Sequence, residues 1–292
     1  MSQAWINGEF IDDKKLNISA RDVGILRGYG VFDFLRTYGG EPFHLKDHLR
    51  RFFFSAEKLR LNIGYTLEEL NSAIRELLKR NGYEESAIRM VCLGGESPSS
   101  MVPTDENTTY LIVEPFSADR SGLEQNQQKG VFLAGFPHLR YRAEVKTNNY
   151  IPAMDALHEA EQKGAFDALY CGKNGEIYET TRANVFFRID GKWLTPKSDI
   201  LIGITRSIVM SFIPEGELME ADLTLADLER ADEAFLTSST KEITPIVRID
   251  DQLIGSGKPG PETAELIKRF NRYREEPALW AKREEEHPYG SF

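Results

Sequence analysis

An α+β fold in two parts is what this chain predicts, on three observations. Strand-rich and helix-rich segments are mixed along it, without a strict repeat. A polar, aperiodic stretch at residues 117–130 reads as an interdomain linker, leaving a smaller N-terminal part (1–116) and a larger C-terminal part (131–292). The length of 292 residues suffices for two modest domains with ample core.

The elements follow in order. Trp5-Ile6-Asn7-Gly8-Glu9-Phe10-Ile11 sets Asn-Gly between apolar pairs, a hairpin signal. Residues 19–33 contain Gly24, Gly28 and Gly30, and glycine serves where the backbone turns unusually or approaches another group closely. Gly28-Tyr29-Gly30 lacks the third glycine and the Lys-Ser/Thr of known phosphate cradles, so alone it carries little. Residues 31–38 followed by Gly39-Gly40 read as a strand and a turn. Residues 44–59 have apolar side chains at helical spacing. His44 and His48 stand at i and i+4 there, but no third ligand is near and no glutamate follows His44, so no metal site is expected. Arg50 and Arg51 are, from the residues alone, partners for nearby acids.

Thr66 and Glu69 form a capping box that starts a helix with Leu67, Leu70, Ile74, Leu77 and Leu78 on one face, ending at Asn81-Gly82. Residues 87–93 and 109–113 read as strands. Arg89 in the first would, if buried, need an acid or a substrate as partner. Beyond the polar stretch, strands are expected at 131–136, 168–171, 184–188 and 234–236, and helices near 151–162, 204–212, 223–230 and 261–273. From about Glu275 the chain is a charged, aromatic tail expected to be only partly ordered.

Composition excludes several function classes. Hydrophobic residues at 41% and charged residues at 28% are those of an ordinary globular protein. A net charge of -10 argues against a nucleic-acid surface, which needs clustered Lys and Arg. Cys92 and Cys171 lie far apart without metal-ligand spacing, so buried thiols in a reducing cytosol are expected. The first eight residues lack the pattern of a signal peptide, and no run approaches a membrane-spanning helix. A cytoplasmic location is the expectation.

Five pieces of sequence stand in a telling order: Arg27-Gly28-Tyr29-Gly30-Val31-Phe32-Asp33, His48-Leu49-Arg50-Arg51-Phe52, Lys146-Thr147-Asn148-Asn149-Tyr150, Glu179 through Asn184-Val185-Phe186, and Gly203-Ile204-Thr205-Arg206. Together they resemble the class IV aminotransferases, the fold-type-IV enzymes that use pyridoxal 5'-phosphate. The resemblance runs from about residue 5 to residue 272. It implies a two-domain fold, with a smaller N-terminal α/β domain and a larger C-terminal domain that is mixed α/β and barrel-like.

By the same resemblance Lys146 is the amine that bonds the cofactor and, once freed by substrate, moves a proton between substrate Cα and cofactor C4′. That work needs a lysine neutral enough to act as nucleophile and base, which desolvation and neighbouring positive charge promote. Glu179 matches the carboxylate that keeps the pyridine nitrogen protonated. Arg51 matches the arginine that grips the cofactor phosphate. Ile204 and Thr205 match residues whose backbone amides also bind it at a helix start. Thr240 matches a further phosphate donor, and Tyr150 a tyrosine against the cofactor's phenolic oxygen.

The substrate carboxylate needs donors, and Arg27, Arg89 and Arg182 match that role, with Tyr29 beside the first. Leu93-Gly94-Gly95-Glu96-Ser97-Pro98 lacks the arginine of the usual D-amino acid enzyme, and Ala87 stands where branched-chain enzymes have tyrosine before Ile-Arg. The set of Arg27, Arg89 and Arg182 resembles a less usual D-amino acid subgroup. A branched-chain L-amino acid aminotransferase is the alternative, and an aminodeoxychorismate lyase the third reading. The resemblance further implies ping-pong transamination with an amino acid and a 2-oxo acid as substrates. It also implies a homodimer in which the neighbouring subunit supplies the loop around Arg27 to Tyr29.

Overall fold

The computed structural model describes residues 2–117 and 119–286, and its contacts divide the chain into two units. The first comprises Met1–Ser117, Val145–Asn149 and Tyr273–Phe292, the second Ala118–Glu144 and Tyr150–Arg272.

In the first unit, β1 (Gln3–Ile6) and β2 (Glu9–Asp12) form the expected hairpin, with φ of 46° at Asn7 and 94° at Gly8. Such angles suit Asn-Gly and few other pairs. The short α1 (Val23–Arg27) ends on Gly28 at φ 67°, the left-handed helix cap. There follow β3 (Gly30–Tyr38), β4 (Glu41–Pro42), α2 (Leu45–Lys58), α3 (Leu67–Asn81), β5 (Ser86–Leu93) and β6 (Thr108–Pro115).

Among the described residues these strands make one six-stranded sheet, ordered β2-β1-β6-β5-β3-β4, with every pairing antiparallel. The core is filled by Leu49, Phe52 and Ala56 of α2, Leu70, Ile74 and Leu77 of α3, and Leu35, Ile88 and Leu111 of the sheet. Each of the larger side chains contributes about 1.5–3 kcal/mol by leaving water. The capping box of α3 is present on both sides, and Gly82 closes the helix at φ 60°.

The second unit begins with α4 (Arg120–Lys129), inside the stretch expected as a linker. None of its residues is buried, which is why no apolar period marks it in the sequence. Its polar side chains hold it to the unit: Arg120 pairs with Glu242 at 2.9 Å, and Gln127 donates to the Ile243 carbonyl at 2.9 Å. By contacts, residues 145–149 group with the first unit although they follow the 117–130 stretch.

The chain continues through β7 (Val131–Pro137), α5 (Ile151–Gln162), β8 (Asp167–Cys171), β9 (Glu176–Thr180), β10 (Asn184–Ile189), β11 (Lys192–Pro196), α6 (Ile204–Met210), β12 (Leu218–Ala221), β13 (Leu223–Thr224), β14 (Ala231–Ser238), β15 (Glu242–Ile249), β16 (Gln252–Leu253) and α7 (Pro261–Arg274). The sheet runs β12-β11-β10-β14-β15-β7-β8-β9-β13, with β16 on β15. It is mixed: β7 pairs in parallel with both β8 and β15, and most other pairs are antiparallel. Strand β9 also comes back against β10 and β11, so the sheet curls into the barrel-like form expected. Leu133, Leu169, Val185, Phe187, Leu236 and Ile246 fill its core.

The helix expected at 223–230 is instead β13 followed by a 3-10 turn over Leu225–Arg230, capped by Thr224 and Asp227. The tail expected to be partly ordered forms α8 (Pro277–Glu286), where Trp280 is buried and its indole donates to the Tyr273 carbonyl at 2.7 Å. Residues 287–292 of that tail lie outside the described residues. Cys92 and Cys171 are buried free thiols, and burial pushes each pKa up to about 11. Among the described residues no helix is long and apolar enough to cross a membrane.

Candidate active site

In the first unit, Lys146 is pinned on both sides by backbone. The Phe32 amide donates to the Lys146 carbonyl at 3.0 Å, the Asn148 amide donates to the Gly30 carbonyl at 3.0 Å, and Val31 bridges Thr147. The Lys146 amide donates to Ser55 Oγ at 3.2 Å. Gly30 is required by this approach, since a Cβ there would stand 2.7 Å from Asn148 Nδ2 and 2.8 Å from Leu93. The fully buried Val145 anchors the segment in the core. The Lys146 side chain is half-buried, with Nζ 4.6 Å from the centre of the Phe32 ring. The amine thus rests over an aromatic face on a backbone tethered from both sides.

Arg51 lies on the buried face of α2. Its Nε and Nη2 donate to the two oxygens of Asp33 at 2.8 and 2.9 Å, and His48 Nδ1 meets Asp33 Oδ1 at 2.7 Å. Burial pushes the Asp33 pKa up, but Arg51 and His48 together outweigh it and hold the carboxyl well below the usual carboxylate range. For His48, burial outweighs the attraction of Asp33, so the imidazole pKa falls. The two histidines thus serve different partners, for His44 bonds Asp47 through Nδ1 and the Tyr273 hydroxyl through Nε2, each at 2.9 Å.

Arg27 is exposed at the end of α1, with Nε 3.2 Å from Met101 Sδ. Tyr29 is half-buried and its hydroxyl donates to the Leu59 carbonyl at 2.5 Å. The buried Asp22 fixes this loop, accepting from Gly24 N at 2.6 Å, Gly95 N at 3.1 Å and Thr108 Oγ1 at 2.7 Å. Arg89 has no carboxylate within ion-pair distance among the described residues. It is half-exposed and lies 5.4 Å from the Phe34 ring centre, so water and an aromatic face replace the acid that full burial would have demanded.

In the second unit, Glu179 is buried on β9 and accepts from Arg140 Nη1 at 2.6 Å, Leu201 N at 3.0 Å and Asn184 Nδ2 at 3.4 Å. Arg140 is a residue that sequence reasoning missed. It sits in a loop and meets Glu179 across 39 positions, so no local pattern announces it. Burial works against its charge, but the Glu179 carboxylate more than compensates and its pKa rises. Asn184 also donates to the Leu201 carbonyl at 2.8 Å, and Gly203 packs so closely on the Asn184 amide that no side chain fits there.

Gly203 caps α6, where Ile204 and Thr205 are buried at the first turn. The first amides of a helix have no intrahelical acceptor and favour an anion. Arg206, fully buried, locks this helix through Glu220 at 2.7 Å and the Pro196 carbonyl at 3.0 Å. Thr237 Oγ1 on β14 is buried without a hydrogen-bond partner among the described residues. Thr240 is exposed in the turn between β14 and β15, Tyr150 is half-buried at the start of α5, and Arg182 is exposed in the turn between β9 and β10.

These donors suit pyridoxal 5'-phosphate. Taken unit by unit, the first carries an amine on a fixed backbone, of the kind an aldehyde needs, and the second carries a buried carboxylate suited to a protonated ring nitrogen, together with helix-start amides and a buried hydroxyl suited to a phosphate.

The comparisons agree with that chemistry. The family described as Amino-transferase class IV matches residues 30–249. A D-alanine aminotransferase of Staphylococcus haemolyticus is 34% identical over 283 residues, 94% of this chain and 99% of the relative. A putative branched-chain-amino-acid aminotransferase of Methanocaldococcus jannaschii is 32% identical, covering 92% of this chain and 96% of the relative. Among solved structures, the T.th. branched-chain amino acid aminotransferase with pyridoxamine 5'-phosphate superposes with a TM-score of 0.87 at 30% identity, covering 95% of this chain and 96% of that one. The branched-chain amino acid aminotransferase from Thermobaculum terrenum in its holo form gives a TM-score of 0.84 at 26% identity, with 96% of each chain covered.

Proposed function

The chain belongs to the class IV aminotransferases and uses pyridoxal 5'-phosphate, and on that premise we propose that it moves the amino group of a D-amino acid to a 2-oxo acid such as 2-oxoglutarate or pyruvate. The carrying observation is Arg182, an exposed guanidinium in the turn that follows Glu179, whose charge also reaches Asp167 and Lys241. A cation of that geometry suits a substrate carboxylate. Arg27, exposed on α1 beside Tyr29, supports the same role, as does the D-alanine aminotransferase relative that matches along nearly its whole length.

On this reading Lys146 bonds the cofactor, and Arg51, Tyr150, Glu179, Ile204, Thr205 and Thr240 hold it. Arg27, Tyr29, Arg89 and Arg182 hold the substrate. Bound pyridoxal phosphate supplies an electron sink for the negative charge that develops at the substrate's Cα. The chain's own work is then positional. Lys146 Nζ would take the proton from the substrate Cα as a general base and, as the acid so formed, would give it to C4′ of the bound cofactor. Glu179, held by bonds from Arg140 and Leu201, presents a carboxylate of fixed direction. Arg51, aligned by Asp33, offers its guanidinium to an anion from a dry site. The same reading makes the protein a cytoplasmic homodimer.

A branched-chain L-amino acid aminotransferase is the second reading, favoured by Ile88-Arg89 on β5 and by the likeness to the T.th. enzyme. One substrate panel decides. Holoenzyme is given D- and L-alanine, D- and L-glutamate and L-leucine, each with pyruvate or 2-oxoglutarate. Turnover of the D-amino acids is expected. Turnover confined to L-leucine and its relatives hands the case to the second reading, and pyruvate release from aminodeoxychorismate without an acceptor marks a lyase.

A further inference from the structure

Asp167 is a buried carboxylate in the second unit to which the proposed reaction gives no part. It lies on β8 with no exposure, and its bonds converge from two different turns. The last residue of β9 sends Thr180 Oγ1 at 3.4 Å, and the turn joining β9 to β10 sends Thr181 Oγ1 at 2.5 Å. The turn joining β14 to β15 sends the Lys241 ammonium as an ion pair. Sheet pairing, with Leu169 opposite Thr180, accounts for the nearness of the β9 end but not for that of Lys241. β8 and β15 are separated by β7 in the sheet, so Lys241 reaches Asp167 across an intervening strand. The β9–β10 turn has a backbone tie of its own to β8, from Thr181 N to the Ala168 carbonyl at 3.2 Å.

A buried ion pair is a weak source of stability, since desolvation of both charges offsets most of their attraction. Burial here pushes the Asp167 pKa up, and Lys241 and Thr181 bring it back below the usual range, so the carboxylate stays charged. The best-attested use of such a pair is to specify one arrangement among several. The arrangement at stake is visible, because the two tied turns carry Arg182 and Thr240.

We propose that Asp167 is a positioning residue: by holding residues 180–183 and 238–242 at a fixed spacing, it sets where Arg182 stands relative to Thr240. The assignment rests on the proposed function, in which Arg182 takes the substrate carboxylate and Thr240 the cofactor phosphate.

Three variants test it. D167N removes the charge. D167N/K241M also removes the ammonium that would otherwise be left buried and unpaired, and so guards against a simple failure to fold. T181V leaves both charges in place and loosens one turn only. In the apoprotein, hydrogen exchange at both turns should rise together in D167N and in the double variant, by about tenfold, and at residues 180–183 alone in T181V. In the cofactor-loaded enzyme, KM for amino donor and 2-oxo acid should rise on the order of tenfold to a hundredfold, with kcat falling less. Wild-type exchange at either turn in the folded double variant overturns the proposal. So does a wild-type KM, or a lowered melting temperature with KM unchanged, which would mark Asp167 as structural alone. If the wild-type enzyme transaminates no amino acid, the proposed function fails, and the exchange data still decide whether Asp167 ties the two turns.

Discussion

Asp33→Asn is the perturbation that tests the first unit most severely. Asp33 is fully buried and Arg51 nearly so, with side-chain exposures of 0% and 4%. Both Asp33 oxygens are committed, to Arg51 Nε and Nη2, to His48 Nδ1 and to the Phe34 amide at 2.7 Å. Asparagine keeps the shape but offers one acceptor and turns an N–H₂ toward donors, leaving the Arg51 charge uncompensated. Removing one partner of a buried pair costs about 3–5 kcal/mol. At about 2–4 °C per kcal/mol for a protein of this size, Tm should fall by about 6–20 °C at pH 7.

The pH dependence has a definite sign. The folded-state pKa of Asp33 is depressed, so its contribution is fully present above the unfolded value of about 3.9 and is lost as pH falls through the lower folded value. The Tm gap between wild type and variant should therefore be flat between pH 7 and 8 and narrow on acidification below about pH 4. Circular dichroism melts across that range measure it, and equilibrium dialysis against pyridoxal phosphate should show weaker binding because Arg51 loses its alignment. A Tm within about 2 °C of wild type at pH 7, or a gap that widens below pH 4, would refute the reasoning.

Three further outcomes are expected. Gly30→Ala places a Cβ against Asn148 and Leu93, at 2.7 and 2.8 Å, and should destabilise by about 1–3 kcal/mol in denaturant melts while lowering turnover, because the backbone that pins Lys146 must shift. Unchanged turnover would show that the pairing of residues 145–149 with β3 does not matter to the amine. Arg140→Met removes the strongest partner of Glu179 and should reduce kcat by roughly tenfold or more; a kcat equal to wild type would show that the Leu201 amide and Asn184 suffice. Thr66→Ala dismantles the capping box of α3 and should cost about 1 kcal/mol by urea midpoint with no change in KM; an unchanged midpoint would mean that the box adds nothing to packing.

Local chemistry was the part of this structure that could be read from residues in order. The Asn7-Gly8 hairpin, the Thr66–Glu69 cap and the helix at 151–162 all depend on neighbours within a few positions, and all are present. What escaped notice depends on partners far along the chain. α4 has no buried face to leave a periodic trace. β15 contains Pro245 and opens at Glu242 with φ 50°, features that argue against a strand until β7 and β14 are seen on its two sides.

The candidate site divides in the same way. Lys146, Glu179 and the Gly203-Ile204-Thr205 turn are marked by contiguous pieces of sequence. Arg140 and Asp167 meet partners 39 and 74 positions away and look like ordinary charged residues in isolation. Arg89 shows how burial depends on the fold. Its apolar run left open whether it was buried, and the pleat leaves its side chain half-exposed over Phe34.

The most direct measurement is to treat purified holoenzyme with borohydride, which locks pyridoxal phosphate onto the amine that holds it, and to map the modified peptide by mass spectrometry. The account predicts a single labelled peptide containing Lys146. A label on another lysine, or none on protein that carries stoichiometric cofactor, would contradict it.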